Sequence, residues 1–218
     1  MYTKNVPKPS HFDLIGSFII KNYAKCKYNY GFHFKKYNEN VYTPIIRNNI
    51  RLLNRTEKDH YTVYLPAYSD ENIINVLSKI KGVKWKVFSK ETKEYYQKKN
   101  VYIKPINSEK FEKSLASCKG ILCGAGFETP AEAIFLKKKL LVIPMKNQYE
   151  QAFNAKALEE LGVPVLKTLK KKNIPKIKDW IESDAKVTLE FPNETQQIVD
   201  HILYEYIEKE NFTVLETI

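Results

Sequence analysis

Small residues and a helix-starting pattern follow one another in the middle of the chain. The short apolar run Gly120–Cys123 indicates a buried strand, and Gly124–Gly126 offers a turn where a ligand can approach the main chain closely. Thr129 predicts an N-cap, Pro130 suits the first helical position, and Glu132 would close a capping box. Such a corner presents unpaired N–H groups and the positive end of a helix dipole. Phosphate oxygens are its natural ligands.

Strands and helices alternate on both sides of this corner. Strands are predicted at 61–65, 85–88, 101–104, 120–123 and 140–143, and helices at 70–81, at 91–98, from 108, from 129 to 137 and from 148. This alternation predicts an α/β fold, a doubly wound parallel sheet of Rossmann-like type with helices on both faces. The turns after the strands should line one cleft, because ligands of open α/β sheets bind beyond the carboxyl ends of the strands. The glycine spacing alone is weak evidence, since it is neither G-x-G-x-x-G nor a P-loop.

The composition is that of a globular protein with a strong positive charge. Of the 218 residues 43% are hydrophobic, and the formal net charge is +11, which would attract phosphate-bearing ligands, nucleic acid or an acidic membrane surface. Two lysine runs, 137–139 and 170–172, are interpreted as solvated surface that could also touch anionic lipid. Cys26, Cys118 and Cys123 show no metal-like spacing. Because Cys118 and Cys123 flank a predicted buried strand, we expect these two to be buried thiols in a reducing compartment.

The N-terminal segment is rich in aromatic residues and lysine. A helix is predicted at 11–24 and a strand at 27–34, with more apolar surface than the two can bury alone. Residues 12–34 are therefore expected to contact the main domain, a missing lobe or a membrane, and to self-associate if the missing lobe is their usual partner. The spacing fits no RNA-stacking strand, and we expect no nucleic-acid partner. His33 between two aromatic residues favours a packed histidine over a catalytic one. No signal peptide is indicated, and the run 12–20 is too short to span a bilayer.

Several segments in this order carry a family resemblance. GAGFETPAEA, LLVIP and QYEQAFNAKALEELGVPV resemble the C-terminal half of GT-B glycosyltransferases, especially glycosyltransferase family 28, and GFHF, TPIIR and YTVYLPAY resemble a group of uncharacterised glycosyltransferase-like bacterial and archaeal proteins. The similarity extends from Pro7 onward. It implies a remnant of the N-terminal lobe with the linker at 1–46, a nucleotide-sugar-binding domain at 47–192, and a C-terminal helix at 193–218 that packs back toward the N-terminal segment. The catalytic N-terminal lobe of that family has no counterpart before Met1.

The resemblance also assigns candidate donor-binding residues. The diphosphate turn would be formed by Gly124, Ala125, Gly126, Phe127 and Thr129. Glu132 matches the carboxylate that binds ribose hydroxyls, although the capping box is an equally simple explanation. The main chain at Ile106 would contact the edge of uracil.

A second set of residues is assigned to the donor sugar. The matching segment contributes Gln148, Glu150, Gln151 and Asn154; the alternative is an ordinary helix N-terminus capped by Asn147. Where related enzymes carry a glycine-rich loop after the first strand of this lobe, this chain has Pro66–Ser69, which predicts a stacking or hydroxyl contact from Tyr68.

The implied activity is transfer of a hexosyl group from a UDP-sugar to an acceptor hydroxyl. No Asp-x-Asp sequence is present, so neither a metal nor any other cofactor is predicted, and no residue here is assigned as the general base. The alternatives are a non-catalytic sugar-nucleotide-binding module, a subunit of a two-chain enzyme that pairs with a separate N-terminal lobe, and a UDP-sugar 2-epimerase. We expect a cytoplasmic protein, at most peripheral at the inner face of an anionic membrane.

Overall fold

A computed structural model of the chain describes residues 6–9, 18, 22 and 28–215. The chain divides into two compact units, each considered by itself. The main unit comprises residues 7–13 and 46–190, and the terminal unit comprises residues 1–6, 14–45 and 191–218. The helix predicted at 11–24 falls almost wholly outside the described residues. Assignment of the two ends of the chain to a larger enzyme's lobes stays a prediction.

The main unit is built on a sheet of six strands: β3 (Tyr61–Tyr64), β4 (Trp85–Ser89), β5 (Tyr96–Lys98), β6 (Val101–Pro105), β7 (Gly120–Cys123) and β8 (Lys139–Val142). Their order in the sheet is β5-β6-β4-β3-β7-β8. Neighbouring strands are parallel except for β5, which runs antiparallel to β6. The predicted doubly wound, mostly parallel α/β sheet is therefore confirmed.

Six helices of the main unit connect or flank these strands. They are α1 (Asn48–Arg51), α2 (Asp70–Leu77), α3 (Ser108–Ser117), α4 (Glu128–Phe135), α5 (Tyr149–Glu160) and α6 (Ile174–Glu182). Local sequence explains their starts: the Ser69 hydroxyl accepts a hydrogen bond from the Asn72 N–H at the start of α2, and the Asn107 side chain accepts one from the Lys110 N–H at the start of α3. Each helix buries the apolar stripe on its surface, and in α2 that stripe includes the buried side chain of Ile73.

The two faces of the sheet bury different sets of side chains, because successive residues of a strand point to opposite sides. On one face, Val63 and Trp85 pack in a core cluster with Leu77 of α2 and Trp180 of α6. On the other face Thr62 hydrogen-bonds Ser114 of α3 through their hydroxyl groups at 2.8 Å. Helix α3 therefore packs against β3 on this face of the sheet.

The helix predicted at 91–98 is wrong. The segment instead turns back and forms β5, whose Tyr96 pairs with Ile103 of β6, and Lys99 takes a positive φ of 54° in the turn between the two strands. Pairing with β5 provides partners for the main-chain N–H and C=O groups at the outer edge of β6. The Tyr96 hydroxyl also donates a hydrogen bond to Asp70 Oδ2 at 2.9 Å. Helix α2 also ends earlier than predicted, at Leu77.

The prediction that the lysine run 137–139 is solvated surface holds for Lys137, which is exposed, and is wrong for Lys138 and Lys139. Lys138 and Lys139 are 5% and 8% exposed. The Lys138 ammonium donates to the Thr56 carbonyl at 2.6 Å, and the Lys139 ammonium donates to the Ile181 carbonyl at 2.9 Å. Burial lowers the pKa of Lys138. These two buried lysines bind main-chain carbonyls and are not available to a membrane.

The terminal unit joins the N-terminal segment to the C-terminal helix. Strands β1 (Gly31–Phe32) and β2 (Val41–Tyr42) pair in parallel, and helix α7 (Thr195–Leu215) contacts the same segment. The Tyr30 hydroxyl donates to Glu205 Oε2 at 2.8 Å, and the Tyr42 hydroxyl lies 2.7 Å from His201 Nδ1. Strand β1 covers only Gly31–Phe32 of the strand predicted at 27–34, of which residue 27 lies outside the described residues.

His33 is a packed histidine in the terminal unit. It is 8% exposed, its Nδ1 accepts a hydrogen bond from the Phe34 N–H at 2.9 Å, and its ring lies edge-on to Tyr37 at 4.8 Å. Burial lowers the pKa of His33 to about 4. None of the described helices is long and apolar enough to cross a membrane.

Candidate functional site

The order of the strands creates one crevice at the carboxyl edge of the sheet. From β3 the chain proceeds to β4 and β6 on one side, and then returns to form β7 and β8 on the other side. Strands β3 and β7 are therefore neighbours from which the connections diverge, which is where open α/β sheets bind their ligands. At this point the Gly124 N–H donates to the Tyr64 carbonyl at 3.2 Å.

The glycine turn leads directly into helix α4, with a start that differs from the prediction. The helix begins at Glu128 with Phe127 as N-cap and no side-chain cap, so Thr129 and Pro130 lie within the first turn. Pro130 is tolerated there because the first N–H groups of a helix have no partner inside it. The prediction of Thr129 as N-cap is wrong, and so is the capping box.

Several main-chain N–H groups of this turn face no acceptor in the described part of the chain. Those of Gly126, Glu128 and Thr129 donate to no described residue. A Cβ added at Gly126 would meet nothing within 4 Å, so the space beside this residue is open. The turn and the helix dipole can therefore hold an anion without moving any side chain.

Gln151 ties the glycine turn to the end of β8. Its Oε1 accepts hydrogen bonds from the Ala125 N–H at 3.1 Å and the Met145 N–H at 2.9 Å. The Ala125 N–H is thus occupied, and the Gln151 oxygen fixes two loops, leaving only the side-chain amide nitrogen for a sugar. A Cβ at Gly124 would lie 3.4 Å from Gln151 Oε1, at ordinary contact distance.

Glu132 forms an ion pair that the sequence did not indicate. Arg47 Nε donates to Glu132 Oε1 at 2.8 Å, and Arg47 Nη1 lies 3.2 Å from Glu112 Oε1, which also accepts from the Asn49 side chain at 2.9 Å. Burial raises the pKa of Glu132, which is 3% exposed, and Arg47 opposes that rise. The hydrogen bond to Glu132 raises the pKa of Arg47 in turn.

A cavity of about 220 Å³ lies beside this ion pair. Its walls come from Arg47, Tyr64, Ile106, Ser108, Phe111, Glu112 and Glu128. Ligand pockets typically measure about 300–1000 Å³, so this cavity can enclose only part of a nucleotide sugar. The rings of Tyr64 and Phe111 are 5.5 Å apart, and the Ile106 N–H already donates to the Ser89 carbonyl at 3.0 Å. The Ile106 carbonyl is then the group left to contact a base.

The remaining candidate residues occupy separate positions. Gln148 is the N-cap of α5 and makes no side-chain cap bond, whereas Asn147 has a positive φ of 57° and is not the cap. Glu150 accepts a hydrogen bond from the buried Asn154 side chain at 3.3 Å. The Tyr68 hydroxyl accepts from the Leu169 N–H at 3.1 Å. Tyr68 is therefore engaged in packing the main unit.

Five residues that line the cavity are not among the sequence-based candidates: Arg47, Tyr64, Ser108, Phe111 and Glu112. Arg47 ends the TPIIR segment, which carries the family resemblance but no predicted site role. Tyr64 lies near the carboxyl end of the strand predicted at 61–65, and that position is a signal for the cleft. In the part of the chain that the structure describes, no three His, Cys, Asp or Glu side chains are grouped so as to hold a metal ion.

The fold and the crevice define a Rossmann-like class of α/β domain. A family model described as glycosyl transferase family 1 matches residues 17–183, which is most of the chain. The chain belongs to this family, and the predicted resemblance to GT-B glycosyltransferases is confirmed. A comparison with curated proteins finds no match.

Solved structures with similar folds are glycosyltransferases. Spinosyn forosaminyltransferase SpnP is 13% identical with a TM-score of 0.50, over 84% of this chain and 56% of that one. MurG of Acinetobacter baumannii is 16% identical with a TM-score of 0.49, over 70% and 51%. Glycosyltransferase VinC in complex with DTDP is 15% identical with a TM-score of 0.44, over 71% and 40%. The chain thus spans 40–56% of the length of these proteins. The likeness to SpnP shows the fold alone.

Proposed function

We propose that this chain is the donor-binding lobe of a glycosyltransferase that uses a UDP-sugar and transfers a hexosyl group to an acceptor hydroxyl. The observation that carries the proposal is the cavity at the switch point between β3 and β7, next to the open N–H groups of the glycine turn. A nucleotide needs both features, an enclosed place for its base and donors for its phosphates. The two lie side by side here.

Each part of the donor has a candidate partner. The base would enter the cavity beside the rings of Tyr64 and Phe111, which contact each other, and the Ile106 carbonyl could accept the N3–H of uracil. The diphosphate would accept hydrogen bonds from the N–H groups of Gly126 and Thr129 at the helix start. Charge on the departing nucleoside diphosphate would be stabilised by the same groups.

The ribose contact is the least direct part of the proposal. Glu132 is 3% exposed and lies behind Arg47, whereas Glu128 lines the cavity and is exposed. We therefore expect Glu128 and Arg47 to meet the ribose, with Glu132 holding Arg47 in place. If Glu132 itself contacts the ribose, Glu132→Gln will weaken UDP binding more than Glu128→Gln does.

Titration calorimetry with nucleotides tests the binding step. At about 0.3 kcal/mol per non-hydrogen atom, a nucleoside diphosphate would bind in the micromolar range at best. We expect UDP to bind and CDP to bind at least about tenfold more weakly, because cytosine offers no N3–H to a carbonyl. Gly126→Ala should abolish binding, and Gly31→Ala, which also adds a Cβ to open space, serves as the matched control. Flat titrations with UDP and all UDP-sugars would refute the proposal.

Turnover distinguishes an enzyme from a binding module. We expect UDP release from a UDP-hexose only when a catalytic N-terminal lobe is supplied by co-expression. Bound UDP without turnover in either case would favour a non-catalytic sugar-nucleotide-binding module. Conversion of the UDP-sugar to its 2-epimer, without UDP release, would favour the epimerase alternative. A cytoplasmic location follows from the proposed donor and is part of the same proposal.

Self-association is proposed for residues 12–34 if no partner lobe is present. Phe18 and Phe32 in that range are 62% and 42% exposed. We expect concentration-dependent dimers in light scattering. A monomer at high concentration would contradict this part of the proposal.

A further inference from the structure

One strip of the sheet carries no helix and is lined by lysines. Because β4 connects to β6 through β5 and not through a helix, the side chains of Lys86 and Lys104 on these strands face an open groove of about 610 Å³. Helix α3 forms one wall with Lys110 and Lys113, and Lys58 closes the end before β3. We call these five lysines and the space between them the lysine groove.

The positive charge of the lysine groove is concentrated and lacks carboxylate partners in the part of the chain that the structure describes. No Asp or Glu lines it, and of its five lysines only Lys113 forms an ion pair with a described residue, Glu109. The pKa of Lys86 is lowered by burial and then by Lys104 and Lys58. Cations held this close repel one another, and an anion in the groove would remove that repulsion.

The rim of the lysine groove carries an exposed leucine. Leu52 is 85% exposed, and its neighbour Leu53 lines the groove. An apolar side chain beside clustered lysines is the pattern of a surface that rests on a bilayer, with the apolar residue among the acyl chains and the ammonium groups at the phosphates. Nucleic acid is a poorer fit, because Phe88 in the groove is 2% exposed and cannot stack on a base.

We propose that the lysine groove docks on an anionic phospholipid bilayer, with Leu52 inserted at the level of the headgroups. This surface is distinct from the crevice between β3 and β7, so the proposal does not depend on nucleotide binding. It also differs from the run 170–172, which the sequence suggested for the same role. The partner is the membrane surface itself, recognised by its phosphate and carboxylate charges.

Sedimentation with vesicles tests the proposal on the full chain. We expect binding to phosphatidylcholine vesicles that contain 30% phosphatidylserine and little binding to pure phosphatidylcholine. Each lysine near an anionic surface contributes about a fivefold change in partition, so Lys58→Gln with Lys110→Gln and Lys113→Gln should reduce binding roughly 100-fold. All three side chains are exposed, so the fold should be retained, which tryptophan fluorescence can verify.

A control variant tests whether vesicle binding depends on the lysine groove or only on the net charge of the protein. Lys170→Gln with Lys171→Gln and Lys172→Gln removes the same net charge from another exposed site and should leave binding within about fivefold of the wild type. Leu52→Ser should reduce binding about tenfold without changing the charge. Equal losses in the two triple variants, no preference for anionic vesicles, or tighter binding to single-stranded RNA than to vesicles in fluorescence anisotropy would overturn the proposal.

Discussion

Removal of the Arg47 side chain tests the central ion pair of the site. In Arg47→Gln the buried Glu132 carboxylate loses the donor that lies 2.8 Å away. Loss of one partner of a fully buried pair costs about 3–5 kcal/mol, and a hydrogen bond to a charged group is worth about 1.5–3 kcal/mol. The Arg47 side chain is 49% exposed and that of Glu132 only 4%, so water can replace part of the interaction. We expect unfolding to become easier by about 2 kcal/mol at pH 7.5.

Urea unfolding followed by tryptophan fluorescence measures this change in the main unit. The protein's two tryptophans, Trp85 and Trp180, both lie in the core cluster of that unit. With a slope of about 2 kcal/mol per molar urea, the midpoint should fall by about 1 M. Arg55→Gln is the control, because Arg55 is exposed and pairs with no described carboxylate.

The pH dependence of the unfolding free energy tests whether the unpaired Glu132 carboxylate destabilises Arg47→Gln. Without Arg47 nothing opposes the burial that raises the pKa of Glu132, so the folded variant binds a proton at a higher pH than its unfolded chain does. Its unfolding free energy therefore rises relative to wild type as the pH falls from 7.5 to 5. Glu132→Gln combined with Arg47→Gln should recover more than about half of the loss. The reasoning would be refuted if Arg47→Gln lost the same unfolding free energy at pH 7.5 and pH 5, and also lost it in the Glu132→Gln background.

Three further predictions concern the same unit. Gly120→Ala should lower the free energy of unfolding by about 1–3 kcal/mol in urea titrations, because the added Cβ would lie 2.8 Å from another side chain; a neutral result would contradict this packing. Gln151→Leu should cost about 2 kcal/mol and weaken UDP binding in calorimetry, since two main-chain N–H groups lose their acceptor, whereas Gln151→Glu should preserve stability. The pKa of His60 is lowered to about 4 by burial and nearby lysines, so the unfolded chain takes up the proton first and wild-type stability should fall by up to about 3 kcal/mol between pH 6.5 and 4. His60→Gln should flatten that pH profile, and an unchanged slope would contradict the assignment.

Much of the main unit could be predicted from local patterns. Strands at 61–64, 101–105 and 120–123 and the helix at 174–182 follow short apolar runs or a helical stripe that reflect one element at a time. The segment at 91–98 was mispredicted because its polar residues allow a helix when taken alone. Its strand exists because the edge of β6 offers hydrogen-bonding partners.

The candidate site was predicted only in its contiguous part. The glycine turn is a local feature of the chain and was identified by the small residues at 124–126. Its helix start was misassigned, because Glu132 meets Arg47, 85 positions away, and not the main chain of its own first turn. Gln151 similarly meets a main-chain group 26 positions away.

The sequence by itself determined that this chain forms alternating strands and helices, that a glycine turn precedes a helix, and that the surface is strongly basic. These properties depend on side-chain size, periodicity and charge over a few neighbouring residues. Only the tertiary structure decided that β7 lies beside β3, that Arg47 holds Glu132, and that five lysines line one uncovered strip of sheet. Strand order and long-range contacts result from the packing of the whole unit, and no local pattern in the chain specifies them.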